Sequence, residues 1–258
     1  MNTVKLEIEN NIGTITLNRP EARNAMNGEL LDDLGEALRQ VETNPEVRCV
    51  VLTGEGPVFC AGGDLKAIGD LDPQGIRLFL NNRIRPILKS IMTMDKPVLS
   101  VLNGPAAGAG VGLAMASDLV LAAEEAAFVI AFTKIGAMPD SGSLFLMSQN
   151  IGVMKTKEIV MFADPLSAQE AADIGLYNKV VPQAELAAAA AEWAGKLAKG
   201  PTLALALAKN ALRDAQRQPF DAYMDQEALA MAMLNKSFDH HEGIQAFLEK
   251  RAPDFQGR

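Results

Sequence analysis

Two glycine-rich stretches, Phe59-Cys60-Ala61-Gly62-Gly63-Asp64 and Asn103-Gly104-Pro105-Ala106-Ala107-Gly108-Ala109-Gly110, each follow an apolar run of strand character and precede a segment of helical character. Glycine lets the chain turn sharply there, and the first residues of a helix carry N–H groups without an intrahelical acceptor. Each stretch can therefore present a main-chain donor, and two donors converging on one point make an oxyanion hole. Such a hole stabilises the enolate or tetrahedral oxyanion of an acyl compound, with each donor contributing about 2.7–4 kcal/mol. Other chemistries have fewer means. The only two histidines, His240 and His241, are neighbours that project to different sides of any regular element. They are expected at a surface or interface, not in a zinc cluster or a Ser-His-Asp triad with a nucleophile elbow. Cys49 and Cys60 are too few for a disulfide framework and lack metal-ligand spacing.

The elements that must carry these loops are legible in the pattern. Residues 4–9 and 12–17 alternate around Asn10-Asn11, which predicts a hairpin closed by Asn18-Arg19-Pro20. From 27 to 41 the apolar positions Leu30, Leu31, Leu34, Ala37, Leu38 and Val41 recur at helical spacing, with Asn44-Pro45 as the stop. Residues 49–54, 97–104 and 118–122 read as buried strands, and the first two empty into the glycine-rich stretches. Strand, glycine-rich loop and helix thus recur about every fifty residues, which predicts stacked structural turns more than one doubly wound sheet. After Pro139 the pattern becomes helical, over 154–162, 184–199, 202–216, 220–236 and 240–250. The predicted division is a core over 1–195 that carries the site and a helical C-terminal region over 196–258. The Met224, Met231 and Met233 positions are expected to serve ordinary packing.

At 258 residues and 48% hydrophobic content the chain can bury a substantial core. A net charge of -8 argues against nucleic acid as the main partner. No apolar run approaches the roughly 18–20 residues that span a bilayer. The first residues alternate instead of forming an apolar signal core, so a cytoplasmic location is expected.

The ordered set Leu17-Asn18-Arg19-Pro20 with Arg23-Asn24-Ala25, then 59–65, 103–110, Ser117-Asp118, 166–171 and 246–251, resembles the crotonase (enoyl-CoA hydratase/isomerase) superfamily from end to end. The resemblance implies an α/β spiral of repeated ββα turns, a C-terminal helical trimerisation region, trimers or hexamers built as dimers of trimers, and acyl-CoA thioesters as substrates. Coenzyme A enters as part of the substrate, and no separate cofactor or metal is implied. The family's oxyanion donors fall on the backbone N–H of Gly63 and Ala109. Asp64 would cap the helix after the first and Ala109 would open the second, so helix N-termini would reinforce both donors. The resemblance also places Ala61, Gly62, Asp64, Leu65 and Lys66 along coenzyme A, and Arg23 near its pantetheine or phosphate end. Phe247 and Lys250 match positions that reach adenine and phosphate, from the same or a neighbouring subunit. Lys66 and Lys250 read equally as solvated surface charges.

The family's hydratases use two glutamates, and those positions here hold Gly112 and Phe132. Asp140, in Pro139-Asp140-Ser141-Gly142, matches the single acidic base of the superfamily's enoyl-CoA isomerases; the stretch 128–136 resembles the branch associated with phenylacetate degradation. The implied activity is a 1,3-proton shift from a 3-enoyl to a 2-enoyl thioester. Apolar neighbours such as Phe132, Ile135 and Met138 would desolvate the carboxylate and raise its basicity. The same four residues also suit a plain β-turn. Another reaction on a CoA thioester (hydration, hydrolysis, dehalogenation, ring opening) and a non-catalytic CoA-binding paralogue are the alternatives. The acyl-pocket wall is expected from parts of 66–85 and the residues after Pro139, with linear, branched, aromatic-derived and dicarboxylic chains all open.

Overall fold

A computed structural model describes residues 1–258. Strands β1 (Val4–Glu9) and β2 (Ile12–Leu17) form the expected hairpin, antiparallel with Val4 opposite Leu17. Asn10 and Asn11 take the turn at positive φ, where asparagine is better tolerated than most residues. Helix α1 (Gly28–Thr43) starts at Asn27, whose side chain accepts the Leu30 N–H, and buries all six apolar positions of the predicted stripe.

The chain then winds through repeated turns. Strands β3 (Cys49–Gly54), β4 (Val98–Leu102), β6 (Leu119–Ala123) and β9 (Lys179–Val181) add in parallel to β2, giving a six-stranded sheet of order β1-β2-β3-β4-β6-β9. Short inner segments stack as a second layer. Strands β5 (Ala106–Ala107), β7 (Ala127–Val129) and β8 (Leu166–Ser167) form one small sheet, and single bridges join Met26 to Gly63 and Cys60 to Ala106. Each turn of the spiral thus gives one strand to the large sheet and one short piece to the inner layer.

Both faces of the large sheet are covered, which is why its central strands are continuously apolar. Val50, Leu52, Val98 and Leu102 face the main core with α1, α4 (Arg85–Thr93) and α5 (Ala109–Met115). Val51, Leu99, Val101 and Leu121 face α8 (Leu186–Ala198). Between β3 and α4 lie a single turn α2 (Leu65–Ile68) and α3 (Pro73–Phe79). A π-helical turn over Leu80–Ile84 joins α3 to α4. Pro86 has no N–H to give and crowds the preceding turn, so the chain widens just before it.

Helix α6 (Ser143–Phe162) is broken at Gly152, which is extended at positive φ; its first half was not anticipated by the sequence pattern, nor was the helical course of 73–93. Helix α7 (Ala168–Asp173) carries a full capping box between Ser167 and Glu170. Helices α9 (Thr202–Ala215), α10 (Phe220–Leu234) and α11 (Phe238–Glu249) close the chain. The methionines expected to serve packing find no core within one chain. Helix α10 has no buried residue, and Met224, Met231 and Met233 are 40%, 50% and 58% exposed, because within one chain α10 packs mainly on α9. No helix is long and apolar enough to cross a membrane.

Candidate active site

The two glycine-rich loops lie against each other. Ala107 N–H donates to the Cys60 carbonyl at 2.8 Å and Cys60 N–H to that of Pro105 at 3.3 Å. Gly62, at φ 96°, marks the closest approach: a Cβ there would stand 2.8 Å from the Ala107 oxygen and 3.1 Å from the Ala109 nitrogen. Only a residue without a side chain brings the loops this close. Gly63 follows immediately. Its neighbours Gly62 and Asp64 are tied to Met26 by a carbonyl and an N–H, while the Gly63 N–H is left without a protein acceptor. Ala109 is the first residue of α5, where an N–H has no intrahelical partner. The expectation of helix reinforcement holds unevenly. The helix after Gly63 is one turn long and sums few peptide dipoles, whereas α5 runs seven residues.

Gly63 and Ala109 line one cavity of about 260 Å³ with Asp140. Its other walls are apolar, chiefly Leu65, Ile76, Phe79, Ile84, Val129 and Phe132. Asp140 is the only titratable side chain on the lining. It is half-buried, and burial pushes its pKa up, partly offset by the Ser141 hydroxyl, which donates to Asp140 Oδ1 at 2.9 Å. The predicted turn is shifted by one residue. Ser143 N–H closes it on the Asp140 carbonyl, and its central residues Ser141 and Gly142 are both at positive φ. Met138 is not part of the desolvating wall: it is 74% exposed and lies off the lining, whereas Phe132 and Ile135 belong to it.

The two positions that the sequence resemblance pairs with the hydratase glutamates carry no carboxylate and sit in different surroundings. A Cβ on Gly112 would fall 2.0 Å from the Ser141 carbonyl oxygen, so the loop carrying Asp140 rests directly on this glycine. Phe132 turns its ring towards Gly108, 3.7 Å from where a Cβ would be, and forms cavity wall. Sequence reasoning missed the Ser141 hydroxyl and the contact of residue 112 with residue 141. Ser141 was visible only as a turn residue, and no local signal reports a contact across 29 positions.

The residues expected along coenzyme A divide into groups. Ala61 and Leu65 line the cavity. Arg23 accepts the Ala61 N–H through its carbonyl and sits at φ 52°, holding the first loop from behind. Asp64 caps α2 and its carboxylate pairs with Arg19 at 3.2 Å, so it acts as a local tie. The Lys66 side chain is exposed. Phe247 and Lys250 are not brought to this cavity within one chain; Phe247 is 82% exposed and lines a separate groove beside His240. Cys60, at the heart of the first loop, is no nucleophile: complete burial pushes its thiol up to about 12, and its Sγ faces the Asn24 carbonyl at 3.2 Å.

Gly63 and Ala109 thus bring main-chain N–H groups without a protein acceptor to a cavity that also carries one carboxyl group. A family model described as enoyl-CoA hydratase/isomerase matches residues 7–258. The chain is 40% identical to a probable enoyl-CoA hydratase of Rhodobacter capsulatus, over 99% of this chain and 98% of that one. It is 37% identical to the 1,2-epoxyphenylacetyl-CoA isomerase of Escherichia coli K12, over 100% of both chains. The crystal structure of an enoyl-CoA hydratase from Bacillus anthracis superimposes with a TM-score of 0.94 at 32% identity, covering 99% of this chain and 100% of the other.

Proposed function

The chain belongs to the crotonase (enoyl-CoA hydratase/isomerase) superfamily of acyl-CoA enzymes, and from that premise we propose that it isomerises a 3-enoyl-CoA to the 2-enoyl thioester. The observation that carries this reading is the solitary carboxyl group of Asp140 on a cavity lined by both Gly63 and Ala109. Asp140 takes a proton from C2. The C–H electron pair forms the C1=C2 bond and the thioester carbonyl pair moves to oxygen, where the two amides hold the dienolate. As the carbonyl re-forms, the C2=C3 bond is made and the old C3=C4 pair takes the same proton at C4. One carboxyl group suffices, and no cofactor is needed beyond the coenzyme A that the substrate carries, in a cytoplasmic setting.

Desolvation supports the role, since it raises the basicity of the carboxylate. The E. coli relative is likewise named an isomerase of a CoA thioester, its substrate an epoxide and not a 3-enoyl group, so its name supports the isomerase class and not the particular shift. The hydratase name of the R. capsulatus relative favours a second reading, addition of water across a 2-enoyl thioester. Against it stand Gly112 and Phe132, which leave Asp140 to activate water and protonate carbon alone.

The test is a panel of 2-enoyl-, 3-enoyl- and aryl-CoA esters turned over in deuterated water. Isomerisation with deuterium entering at C2 or C4, lowered by about two orders of magnitude or more in Asp140→Asn, is the expected outcome. Near-normal isomerisation by that variant would sink the proposal. So would an ester trapped on Asp140 by mass spectrometry, which would indicate a hydrolase or dehalogenase, or thioester binding without any exchange of substrate protons.

A further inference from the structure

A second cavity, of about 660 Å³, begins where the first ends. The two share Leu80, Ile84 and Ser141, so the partition lies on the π-helical turn and beside Asp140. π turns inside helices recur at functional sites. None of the residues expected along coenzyme A borders this second cavity. A thioester held at Gly63 and Ala109, with C2 and C4 at Asp140, would send the rest of its acyl chain towards this partition.

The lining of the second cavity is charged with one sign. Arg85 and Lys89 come from α4, and Arg213 and Arg217 from the end of α9 and just beyond, with no Asp or Glu among the lining residues. In a chain of net charge -8 such a grouping runs against composition. Arg213 is already engaged, with Asp214, Asn210 and the Met92 carbonyl. Arg217 stacks 4.9 Å over the Phe145 ring, while Arg85 and Lys89 have no ion-pair partner. Nearby apolar atoms of Leu80, Leu88 and Phe145 would accompany a hydrocarbon chain as far as these cations.

We propose that this groove is a subsite for a carboxylate at the far end of the acyl chain, so that the preferred substrates are CoA monothioesters of dicarboxylic acids. The proposal rests on the assignment of the first cavity to the thioester. Guanidinium groups suit such an end because they bind a carboxylate through two parallel N–H donors. The leading partners are Arg85 and Arg217, with Lys89 as a further point charge.

Binding of saturated, unreactive thioesters tests this apart from any isomerisation, so failure here is distinguishable from failure of the deuterium experiment. Calorimetry would compare two acyl-CoA esters of equal length, one ending in carboxylate and one in methyl, with free coenzyme A as a third titrant. The wild-type protein is expected to prefer the carboxylate ester by roughly tenfold or more. In the Arg85→Gln/Arg217→Gln variant that ratio should fall to about one, with Lys89→Gln giving a partial loss as an independent check should the double variant fold poorly. Equal affinity of the wild-type protein for both esters overturns the proposal. An equal loss for free coenzyme A would assign the cations to its phosphates, and an unchanged ratio with altered sedimentation would assign them to a subunit contact; either overturns it.

Discussion

Phe79, Ile84 and Phe132 withhold water from Asp140 and push its pKa up, while the Ser141 hydroxyl stabilises the charged form and pulls it back. A general base works only when ionised, so kcat/KM should lose activity on the acid side at a pH above the ordinary aspartate range. Ser141→Ala removes the one donor to the carboxylate. The acid limb of its pH profile should therefore move to still higher pH, and a limb that stays put or moves down would show that the hydroxyl does not face the ionised base. The same shift makes a stability statement. A carboxyl group whose pKa is raised by folding favours the native state most at low pH, and that favour is lost as pH rises from the unfolded pKa through the higher folded one. At neutral pH the charged, half-buried Asp140 is thus a burden on the fold. Asp140→Asn should raise the melting temperature at neutral pH, with the gain shrinking towards acid; a variant less stable than wild type at neutral pH would contradict the desolvation argument.

At the level of elements, the strands and the first helix were readable because each is either continuously apolar or regularly striped, and burial follows those two patterns directly. Leu30 to Val41 predicted α1 because every apolar residue there has one side to hide. The segment 73–93 escaped for the opposite reasons. Pro86 signals a break, Asn81, Asn82, Arg83 and Arg85 are exposed, and of Ile76, Leu80, Ile84 and Ile87, which do recur at helical spacing, the first two are only partly buried. The site shows the same division. Glycine-rich loops are local signals and were legible, whereas the support of the 140–142 loop by Gly112 is a contact between distant elements. That contact carries a prediction. A methyl group at residue 112 would overlap the Ser141 carbonyl, so Gly112→Ala must displace the loop that carries Asp140. Overpacking of this kind costs about 1–3 kcal/mol in stability, and a displacement near 1 Å costs about a hundredfold in turnover. Thermal unfolding together with steady-state rates on a 3-enoyl-CoA would check both, and unaltered kinetics would mean that residues 112 and 141 are not in contact. Gly112→Glu should disrupt the loop more and should not create a hydratase.

Across the whole molecule, the C-terminal helices are fastened to the spiral but leave apolar surface in solvent. Lys209 of α9 donates to the carbonyls of Ile91 and Lys96 and pairs with Asp118 at 2.8 Å. Arg48 holds Gly200, Thr202 and the Phe255 carbonyl near the chain end. Beyond these ties Phe220, Leu229 and Phe247 are 74%, 66% and 82% exposed, joined by Met231 and Met233. Exposed apolar residues mark contact surfaces, and the occupant we propose is a second copy of the chain, in the trimer or hexamer that the sequence resemblance implies. Wild-type protein should sediment as such an assembly, and Leu229→Glu/Met233→Glu, on one face of α10, should move it towards the monomer; a monomeric wild type would remove the expectation. Dissociation also decides how Phe247 and Lys250 act, since neither reaches the cavity of its own chain. If they complete a neighbour's coenzyme A site, Lys250→Ala should weaken coenzyme A binding in the intact assembly and add nothing to the dissociating variant. Independent, additive losses in the two backgrounds would instead place Lys250 on the coenzyme A site of its own subunit, because additivity is what separated, uncoupled positions show, and no loss in either background would place it on no site.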